Sequence, residues 1–485
     1  MKTYLEIFGE LNKIPRPSHH EGKVADYLCS FAESLGLKYR RDAENCVVIE
    51  KPATKGYEDA APVVILNHMD MVCVAKDGYL RDGRAFDPLT DEIRPYIDEE
   101  KKEDGSVIRW MKAEGTSLGA DNGMGLSMAL AILANEEIEH PALEVLTTTN
   151  EEDGMSGAEA LSLDFISGRK VINLDSEAYD EITVGAAGAC LQVGKWNLEY
   201  ADLPEGFITR RIIIDGGLGG HSGVDINKSR CNCNKMLFAA LSNTAGILVC
   251  KINGGTANAS IAAWAEAIVA VPAEVEADLQ EFVSALDKAV KEQYAETDAS
   301  VSVRMEVVES QTQHIANIDS ILDCVAELPY GVQDMREDMP DTVMTSNNIG
   351  VVKTDGQKLT LSCHTRSFDN DEQTKLSTEI RNIMTKHGAA EVEMLMDTPS
   401  WVEKPDSPLL ALTCKTFEDV LGFAPKKVAM HFVLEAAYYV QKYPGVEIAS
   451  IGPRIIEPHS TSERIDLDTA EDIWKVTVEL LRRMK

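Results

Sequence analysis

Apolar, strand-like runs that lead into an acidic residue or a histidine recur through the first 175 residues of the chain. They are Val63–Leu66 before His68 and Asp70, Leu143–Thr148 before Glu151 and Glu152, and Lys170–Leu174 before Asp175. Helical patterns alternate with these runs, which predicts an α/β fold. In open α/β sheets, ligand sites lie outside the carboxyl ends of the strands, so we expect these polar side chains to converge at one edge.

Two further residues, Asp121 and His459, complete the series of candidate metal ligands along the chain. Asp121 stands at the start of a predicted helix, and His459 precedes the last predicted helix. Taken singly, each residue has an ordinary structural explanation, because aspartate is a common helix N-cap and paired glutamates are common in solvated loops. Together, two imidazoles and several carboxylates without a thiolate suit a pair of divalent cations. Zinc is expected first, with cobalt or manganese as alternatives, which indicates a dinuclear metallohydrolase.

Size and charge restrict the alternatives. A chain of 485 residues is expected to form two or three domains. The formal net charge of -33, from 80 acidic and 47 basic residues, disfavours nucleic acid and membrane surfaces as partners. The first residues lack the uncharged apolar segment of a secretory signal, so a cytoplasmic location with reduced cysteines is expected.

The pattern of elements changes near residue 186. Two successive βαββαβ-like stretches over residues 186–398 predict an inserted α+β lid and dimerisation domain of two lobes. Since His459 follows this insertion, the catalytic domain is predicted to be discontinuous. It would comprise residues 1–185 and 399–485, with a mixed sheet flanked by helices.

The spacing of the polar residues indicates their roles. His68 and Asp70 are two residues apart on an extended segment, so they share a face and Asp70 can orient the imidazole by a hydrogen bond. Adjacent acids at a strand end can diverge. Glu152 can then bind metal while Glu151 stays free as a general base.

The motifs and their order resemble the aminoacyl-histidine dipeptidases (peptidase D) of the cocatalytic-zinc metallopeptidase family. The resemblance runs nearly end to end, through residues 14–18, 68–72, 115–123, 150–152, 173–177, 219–223 and 458–460. It implies a cytoplasmic homodimer that hydrolyses small peptides, namely Xaa-His dipeptides or a broader set of dipeptides. The reaction would use a metal-bridging hydroxide and a glutamate general base.

Position by position, the resemblance implies the ligand set. Asp121 becomes the bridging ligand, with His68 and Asp175 on one cation and Glu152 and His459 on the other. Glu151 becomes the general base and Asp70 the residue that clamps the imidazole. The family pattern also implies a cis peptide bond between Asp121 and Asn122.

The inserted domain is implied to contribute substrate contacts. His221 matches a histidine that stabilises the oxyanion and can come from a partner subunit. Arg366 matches an arginine that grips the C-terminal carboxylate of the substrate. Asn258 is the candidate for a substrate-binding asparagine, but it stands one residue early, which on a strand would turn its side chain to the other face. The segment 430–437 is bulkier than the family pattern, which predicts an altered specificity.

Two alternatives remain at this point. One is an amidohydrolase or aminoacylase that removes acyl groups from amino acids with the same metals. The other is a non-catalytic relative that binds metal and ligand. Dependence of cleavage on a free α-amine would distinguish the dipeptidase from the acylase.

Overall fold

The computed structural model describes residues 2–402, 404 and 406–485, and contacts divide the chain into two compact units. The first comprises Met1–Gly185, Glu403–Ala429 and Glu435–Lys485, and the second comprises Ala186–Val402 and Met430–Leu434. This division places residues 399–402 and Met430–Leu434 in the second unit, whereas the sequence boundaries assigned them to the catalytic domain. The reason is local backbone pairing: Ala186 and Trp401 exchange two hydrogen bonds, and the amide of Ala187 donates to the carbonyl of Met430.

Eleven α-helices and twenty-five strands form within the described residues. The helices are α1 (Tyr4–Leu11), α2 (Gly22–Ser34), α3 (Ala120–Ala134), α4 (Ser156–Ala160), α5 (Cys233–Ser242), α6 (Glu276–Gln293), α7 (Ile318–Glu327), α8 (Asn370–Lys386), α9 (Pro408–Leu421), α10 (Ala436–Lys442) and α11 (Leu467–Arg483). None of the helices in the described part of the chain is both long and apolar enough to span a bilayer.

The strands are numbered in chain order, and in the sequence those of the second unit come between those of the first. They are β1 (Lys38–Arg41), β2 (Val47–Lys51), β3 (Val63–His68), β4 (Leu80–Arg81), β5 (Arg84–Ala85), β6 (Pro95–Lys101), β7 (Val107–Ala113), β8 (Leu143–Thr148), β9 (Lys170–Asn173), β10 (Glu181–Ala186), β11 (Gly188–Asn197), β12 (Tyr200–Asp202), β13 (Phe207–Asp215), β14 (Leu248–Gly254), β15 (Ala265–Pro272), β16 (Ser302–Val307), β17 (Gln313–Ile315), β18 (Gly331–Met335), β19 (Val343–Asp355), β20 (Lys358–Ser367), β21 (Glu391–Thr398), β22 (Lys426–Met430), β23 (Glu447–Ser450), β24 (Ile455–Ile456) and β25 (Arg464–Asp466).

The first unit is built on an eight-stranded sheet with the order β1-β2-β8-β3-β9-β23-β10-β22. The central strands β8, β3, β9 and β23 are parallel, whereas β1/β2, β2/β8 and β10/β23 pair antiparallel. The predicted mixed sheet flanked by helices is therefore confirmed. A smaller sheet, β24-β25-β7-β6, holds the loop between β24 and β25, which carries His459 and Glu463.

The second unit contains one nine-stranded sheet with the order β16-β13-β15-β14-β19-β20-β11-β21, with β18 added beside β19. The order β13-α5-β14-β15-α6-β16 follows the predicted β-α-β-β-α-β pattern of the first lobe. The second stretch takes its first strand, β11, from before the first lobe. The two stretches join at β14 and β19, where Asn253 pairs with Lys353, so they share one continuous sheet.

Candidate active site

Three neighbouring strands of the first unit end beside one another. His68 is the last residue of β3, and the parallel strands β8 and β9 lie on either side of it. All six residues of β3 and of β8 are buried, so packing fixes the sheet and the loops carry the reactive groups. The loop after β8 carries Glu151 and Glu152, and the segment after β9 carries Asp175.

Asp121 lies between two imidazoles. Its Oδ1 is 3.1 Å from Nε2 of His68, and its Oδ2 is 3.1 Å from Nε2 of His459. The backbone at Asp121 and Asn122 is non-helical although it lies within α3, and the peptide bond between them is cis, as the resemblance implies. Because both carboxylate oxygens face imidazole nitrogens, a helix-capping role does not account for this residue.

Each imidazole also faces a carboxylate of its own. Oδ1 of Asp175 is 3.2 Å from Nε2 of His68, and Oε2 of Glu152 is 2.8 Å from Nε2 of His459. The other carboxylate oxygen of Glu152 is buried without a hydrogen-bond partner among the described residues. The structure therefore brings together all five residues that the sequence predicted as metal ligands.

Two groups of three side chains have ligand atoms that all lie within 4.8 Å of one another. They are His68 with Asp121 and Asp175, and Asp121 with Glu177 and His459. Glu177 was not predicted from the sequence to be a ligand. The available signal was its position two residues after Asp175, which on an extended segment places both side chains on one face.

Asp70 fixes the loops that surround His68. Its carboxylate lies 3.4 Å from Nδ1 of His68 and accepts hydrogen bonds from the hydroxyl of Ser18 at 2.8 Å and from the amides of Glu151 and Glu152 at 3.1 and 3.2 Å. The carbonyl of Asp70 also lies 3.1 Å from Nδ1 of His68. Asp70 thus fixes the orientation of the His68 ring and the backbone position of Glu151 and Glu152.

Arg16 connects the segment after β3 to the segment that begins α3. Its buried guanidinium donates to the carbonyls of Met69, Asp70 and Gly119 at 3.1, 3.0 and 2.7 Å. Gly119 has a positive φ of 68°, and a Cβ there would lie 2.7 Å from Nη2 of Arg16, so only glycine fits this approach. The sequence marked residues 14–18 as part of the resemblance but assigned Arg16 no role.

Glu463 holds the loop that delivers Asp121. Its buried carboxylate accepts hydrogen bonds from the amides of Leu118, Gly119 and Ala120 at 2.7, 2.9 and 2.7 Å, and from that of Asp121 at 3.4 Å. Four donors on one carboxylate compensate for the cost of burying its charge. This residue was also missed, because its partners are backbone amides remote in sequence.

Glu435 is a further buried acid in the first unit. One carboxylate oxygen accepts a hydrogen bond from the hydroxyl of Thr148 at 2.7 Å, and the other has no hydrogen-bond partner among the described residues. Burial, and secondly the charge of Asp175, raise the pKa of Glu435 to about 8. The sequence marked this segment as unusual but gave Glu435 no role.

The cluster balances carboxylates against two imidazoles. Burial raises the pKa of Glu152 to about 7 and that of Asp175 to about 6, and it raises the pKa of Glu151 well above its usual value. Burial alone would lower the pKa of His459, but hydrogen bonds to Asp121 and Glu152 raise it to about 11. The carboxylates around the two imidazoles therefore favour positive charge, which a bound cation can supply.

The second unit contains a buried arginine in β20. Arg366 is 2% exposed, and its guanidinium lies 3.4 Å from the hydroxyl of Ser222. Its Nη1 has no hydrogen-bond partner among the described residues. Within the described ranges no carboxylate lies at ion-pair distance from it. Burial lowers the pKa of Arg366 to about 10, so the group stays cationic at neutral pH. An uncompensated buried cation is suited to bind an anion.

His221 presents a hydrogen-bond donor beside the guanidinium of Arg366. Its Nδ1 accepts hydrogen bonds from the amides of Gly223 and Val224 at 3.2 and 3.3 Å. Burial, and secondly Arg366, lower the pKa of His221 to about 4, so the neutral ring carries its proton on Nε2. That nitrogen is 3.4 Å from Nη2 of Arg366. Two donors that face each other require an acceptor between or beside them.

Two more histidines surround this arginine. His364 lies two residues before Arg366 on β20, and His431 receives or donates a 2.8 Å hydrogen bond at the hydroxyl of Ser346. Both are buried, and burial followed by the charge of Arg366 lowers the pKa of His431 to about 3 and that of His364 well below its usual value. Phe432, from the segment predicted to add bulk, packs edge-on against His221 with ring centroids 6.1 Å apart.

Asn258 lies in a turn after β14 and not on a strand, so its offset by one residue does not turn its side chain to the other face of a sheet. The turn is held against the loop of His221: the amide of Ser222 donates to the carbonyl of Ala259 at 2.8 Å, and His221 forms a bridge with Ser260. The glycines of the preceding sequence favour this turn over a continued strand. The role of Asn258 in substrate binding stays a prediction.

Comparison with known proteins identifies the class. Residues 64–483 match the model of peptidase family M20/M25/M40, so the chain belongs to this family of metallopeptidases, which implies that it binds divalent metal. It is 32% identical to the cytosol non-specific dipeptidase of Escherichia coli (strain K12), over 99% of this chain and 97% of that protein.

Solved structures agree with this assignment. The chain is similar to the aminoacylhistidine dipeptidase from Vibrio alginolyticus, with a TM-score of 0.85 and 32% identity over 99% of this chain and 96% of that one. A tripeptidase from Staphylococcus aureus shares the fold, with a TM-score of 0.60 at 15% identity over 99% and 97% of the two chains. The resemblance to aminoacyl-histidine dipeptidases is confirmed.

Proposed function

We propose that this protein is a metal-dependent dipeptidase that cleaves Xaa-His or a broader set of dipeptides. The observation that carries the proposal is the position of Asp121, whose two carboxylate oxygens each lie 3.1 Å from a different imidazole. A carboxylate shared in this way is suited to bridge two cations. The full-length similarity to a non-specific dipeptidase and to an aminoacylhistidine dipeptidase supports dipeptides as the substrate class.

The donor set fits divalent metal. Imidazole and carboxylate groups without a thiolate suit zinc first, with cobalt or manganese as alternatives. A buried oxygen of Glu152 without a partner is a further ligand atom available to an ion. We assign His68, Asp121 and Asp175 to one cation and Asp121, Glu152 and His459 to the other.

Divalent cations held there would polarise a carbonyl oxygen and lower the pKa of water. Glu151 is the general base of the proposal. Its amide is fixed by Asp70 at 3.1 Å, and burial, with the charges of Asp175 and Glu152, raises the pKa of its carboxyl. A raised pKa suits a group that takes a proton from water and passes it to the leaving amine. Asp70 acts as a positioning residue through His68.

The second unit supplies the substrate contacts of the proposal. Arg366 would bind the C-terminal carboxylate, because it is buried and no carboxylate in the described part of the chain lies at ion-pair distance from it. His221 would donate its Nε2 proton to the developing oxyanion. Asn258 is retained as a third substrate-binding residue on the resemblance alone. A free carboxylate required one residue beyond the cut would restrict cleavage to short peptides.

The resemblance also supports a homodimer, and the name of the Escherichia coli relative supports a cytosolic location. Both belong to the proposal. Sedimentation equilibrium of the purified protein would test the first, and a concentration-independent monomer would contradict it.

The deciding experiment measures hydrolysis of a dipeptide panel, including Xaa-His members, by metal-stripped protein with zinc, manganese or cobalt restored. We expect metal-dependent cleavage that falls by about 10²–10⁴-fold in Glu151→Gln, with bound metal unchanged. Asp153→Asn is the matched control, because that neighbouring acid is exposed and pairs with His19. Cleavage of N-acyl amino acids in preference to dipeptides would favour an acylase. Bound metal without turnover on either panel would favour a binding role.

A further inference from the structure

One carboxylate beside the candidate metal centre has no place in the proposed ligand set. An oxygen of Glu177 lies within 4.8 Å of both an oxygen of Asp121 and a ring nitrogen of His459. Nε2 of His459 is also 2.8 Å from Oε2 of Glu152. Three acids, Asp121, Glu152 and Glu177, therefore lie around the imidazole of His459.

The backbone holds Glu177 in this position. Its carbonyl accepts a hydrogen bond from the amide of Ile455 at 3.0 Å, and the amide of Ser176 donates to the carbonyl of Ile451 at 3.4 Å. At Gly452 a Cβ would lie only 1.6 Å from the carbonyl oxygen of Ser176, so the chain segments are in close contact there. The segment that carries Asp175 toward His68 thereby directs Glu177 toward His459.

The carboxylate of Glu177 is half-buried beside other acids. Within the part of the chain that the structure describes, neither of its carboxylate oxygens accepts a hydrogen bond or forms an ion pair, although the residue is half-buried. Asp121 and Glu152 beside it carry charge of the same sign, and all three acids share the single imidazole of His459. A partly buried carboxylate among like charges is unfavourable unless a cation compensates for it.

We infer that Glu177 is a ligand of the cation held at His459, so that this site presents three carboxylates and one imidazole. The inference rests on the proposed metal-dependent function and adds a residue to it. The site at His68, with two carboxylates and one imidazole, is poorer in oxygen donors. Because oxygen-rich sites suit manganese better than zinc, the His459 site is the one that should accept manganese more readily.

The test measures metal binding by the full-length, metal-stripped protein. Calorimetry measures the binding of Zn²⁺, and electron paramagnetic resonance measures that of Mn²⁺. We expect two equivalents in wild type. In Glu177→Gln one equivalent should bind as in wild type and the other at least about tenfold more weakly, with a larger loss for Mn²⁺ than for Zn²⁺. Glu177→Asp, which keeps the charge on a shorter side chain, should retain part of the affinity.

Glu457→Gln is the matched control, because it removes an acid two residues from His459 whose carboxylate pairs with Arg464 at 2.6 Å. Both of its equivalents should bind as in wild type. Affinities for both equivalents in Glu177→Gln equal to those in wild type would overturn the inference. If that variant instead raised KM only for substrates with a free α-amine, Glu177 would be a substrate-binding residue. Failure of wild type to bind any cation would contradict the proposed function itself.

Discussion

The two polar clusters of this protein place the same residue type in opposite states. In the first unit, hydrogen bonds to Asp121 and Glu152 raise the pKa of His459 to about 11 despite its burial. In the second unit, burial and the charge of Arg366 lower the pKa of His431 to about 3. Neighbouring charge, and not burial alone, therefore decides whether a buried imidazole is cationic or neutral.

The two clusters also differ in what they lack. The first gathers carboxylates around two imidazoles and requires positive charge. The second holds a buried guanidinium, with no carboxylate at ion-pair distance among the described residues, and requires negative charge. We infer that a cation completes the former and the carboxylate of a substrate completes the latter. Substitutions can remove the charged groups of each cluster separately, which makes the comparison testable.

The largest effect is expected from Asp121→Asn. Loss of the shared carboxylate removes one ligand from both proposed cations, so activity should fall below detection, a larger loss than the about 10²–10⁴-fold for a general base. Metal content by atomic absorption should fall with it. The same change at Asp153 is the control. Retention of two equivalents of metal by Asp121→Asn would exclude a bridging role.

Arg366→Ala tests the second cluster without touching the first. Removing one partner of a buried charge pair costs about 2–4 kcal/mol, or about 30- to 1000-fold in kcat/KM. Metal content should not change. Arg366→Lys keeps the charge but loses the planar fork, so its kcat/KM should lie between those of wild type and Arg366→Ala. Unchanged kinetics in Arg366→Ala would remove this residue from substrate binding.

The strand ends and the predicted ligands could be read from the sequence because both depend on short-range order. Buried runs such as β3 are strongly apolar, and His68 follows the run directly. The ordered co-occurrence with Asp121 and His459 then separated a metal site from ordinary acidic loops. The site residues of the second unit had no such local signal, and Arg366 and His221 were found through the family resemblance alone.

The residues that the sequence did not reveal act through the backbone of distant segments. Glu463 accepts a hydrogen bond from the amide of Leu118, 345 positions earlier in the chain, and any loop could supply such an amide. Asn258 also depends on local backbone structure, because it lies in a turn where the offset by one residue has no consequence for a strand face. Side-chain types indicate chemistry, whereas the supporting contacts depend on tertiary folding.

Glu463→Gln tests this supporting layer of the first cluster. An amide would place an N–H₂ group against backbone donors, so at least one hydrogen bond to a charged acceptor is lost. The free energy of unfolding should fall by about 2 kcal/mol, and metal affinity should fall about 10–100-fold. Denaturant unfolding and calorimetry measure the two effects. Glu471→Gln, at an exposed acid of α11 that pairs with Lys475, should change neither. Unchanged metal affinity in Glu463→Gln would make the contact purely structural.

The smallest effect is a pH dependence that should separate the two clusters. In the metal-free protein His459 is protonated at neutral pH, because its pKa is raised to about 11, whereas a metal ligand must be neutral. Metal binding therefore releases a proton, and the apparent affinity should rise roughly tenfold per pH unit per proton between pH 6 and 8. Calorimetry in buffers of different ionisation enthalpy measures the release. His431 is already neutral in this range, since its pKa is lowered to about 3, so His431→Gln should leave the slope unchanged. A metal affinity independent of pH would show that the imidazoles of the first cluster are neutral before metal binds, and the contrast between the clusters would be lost.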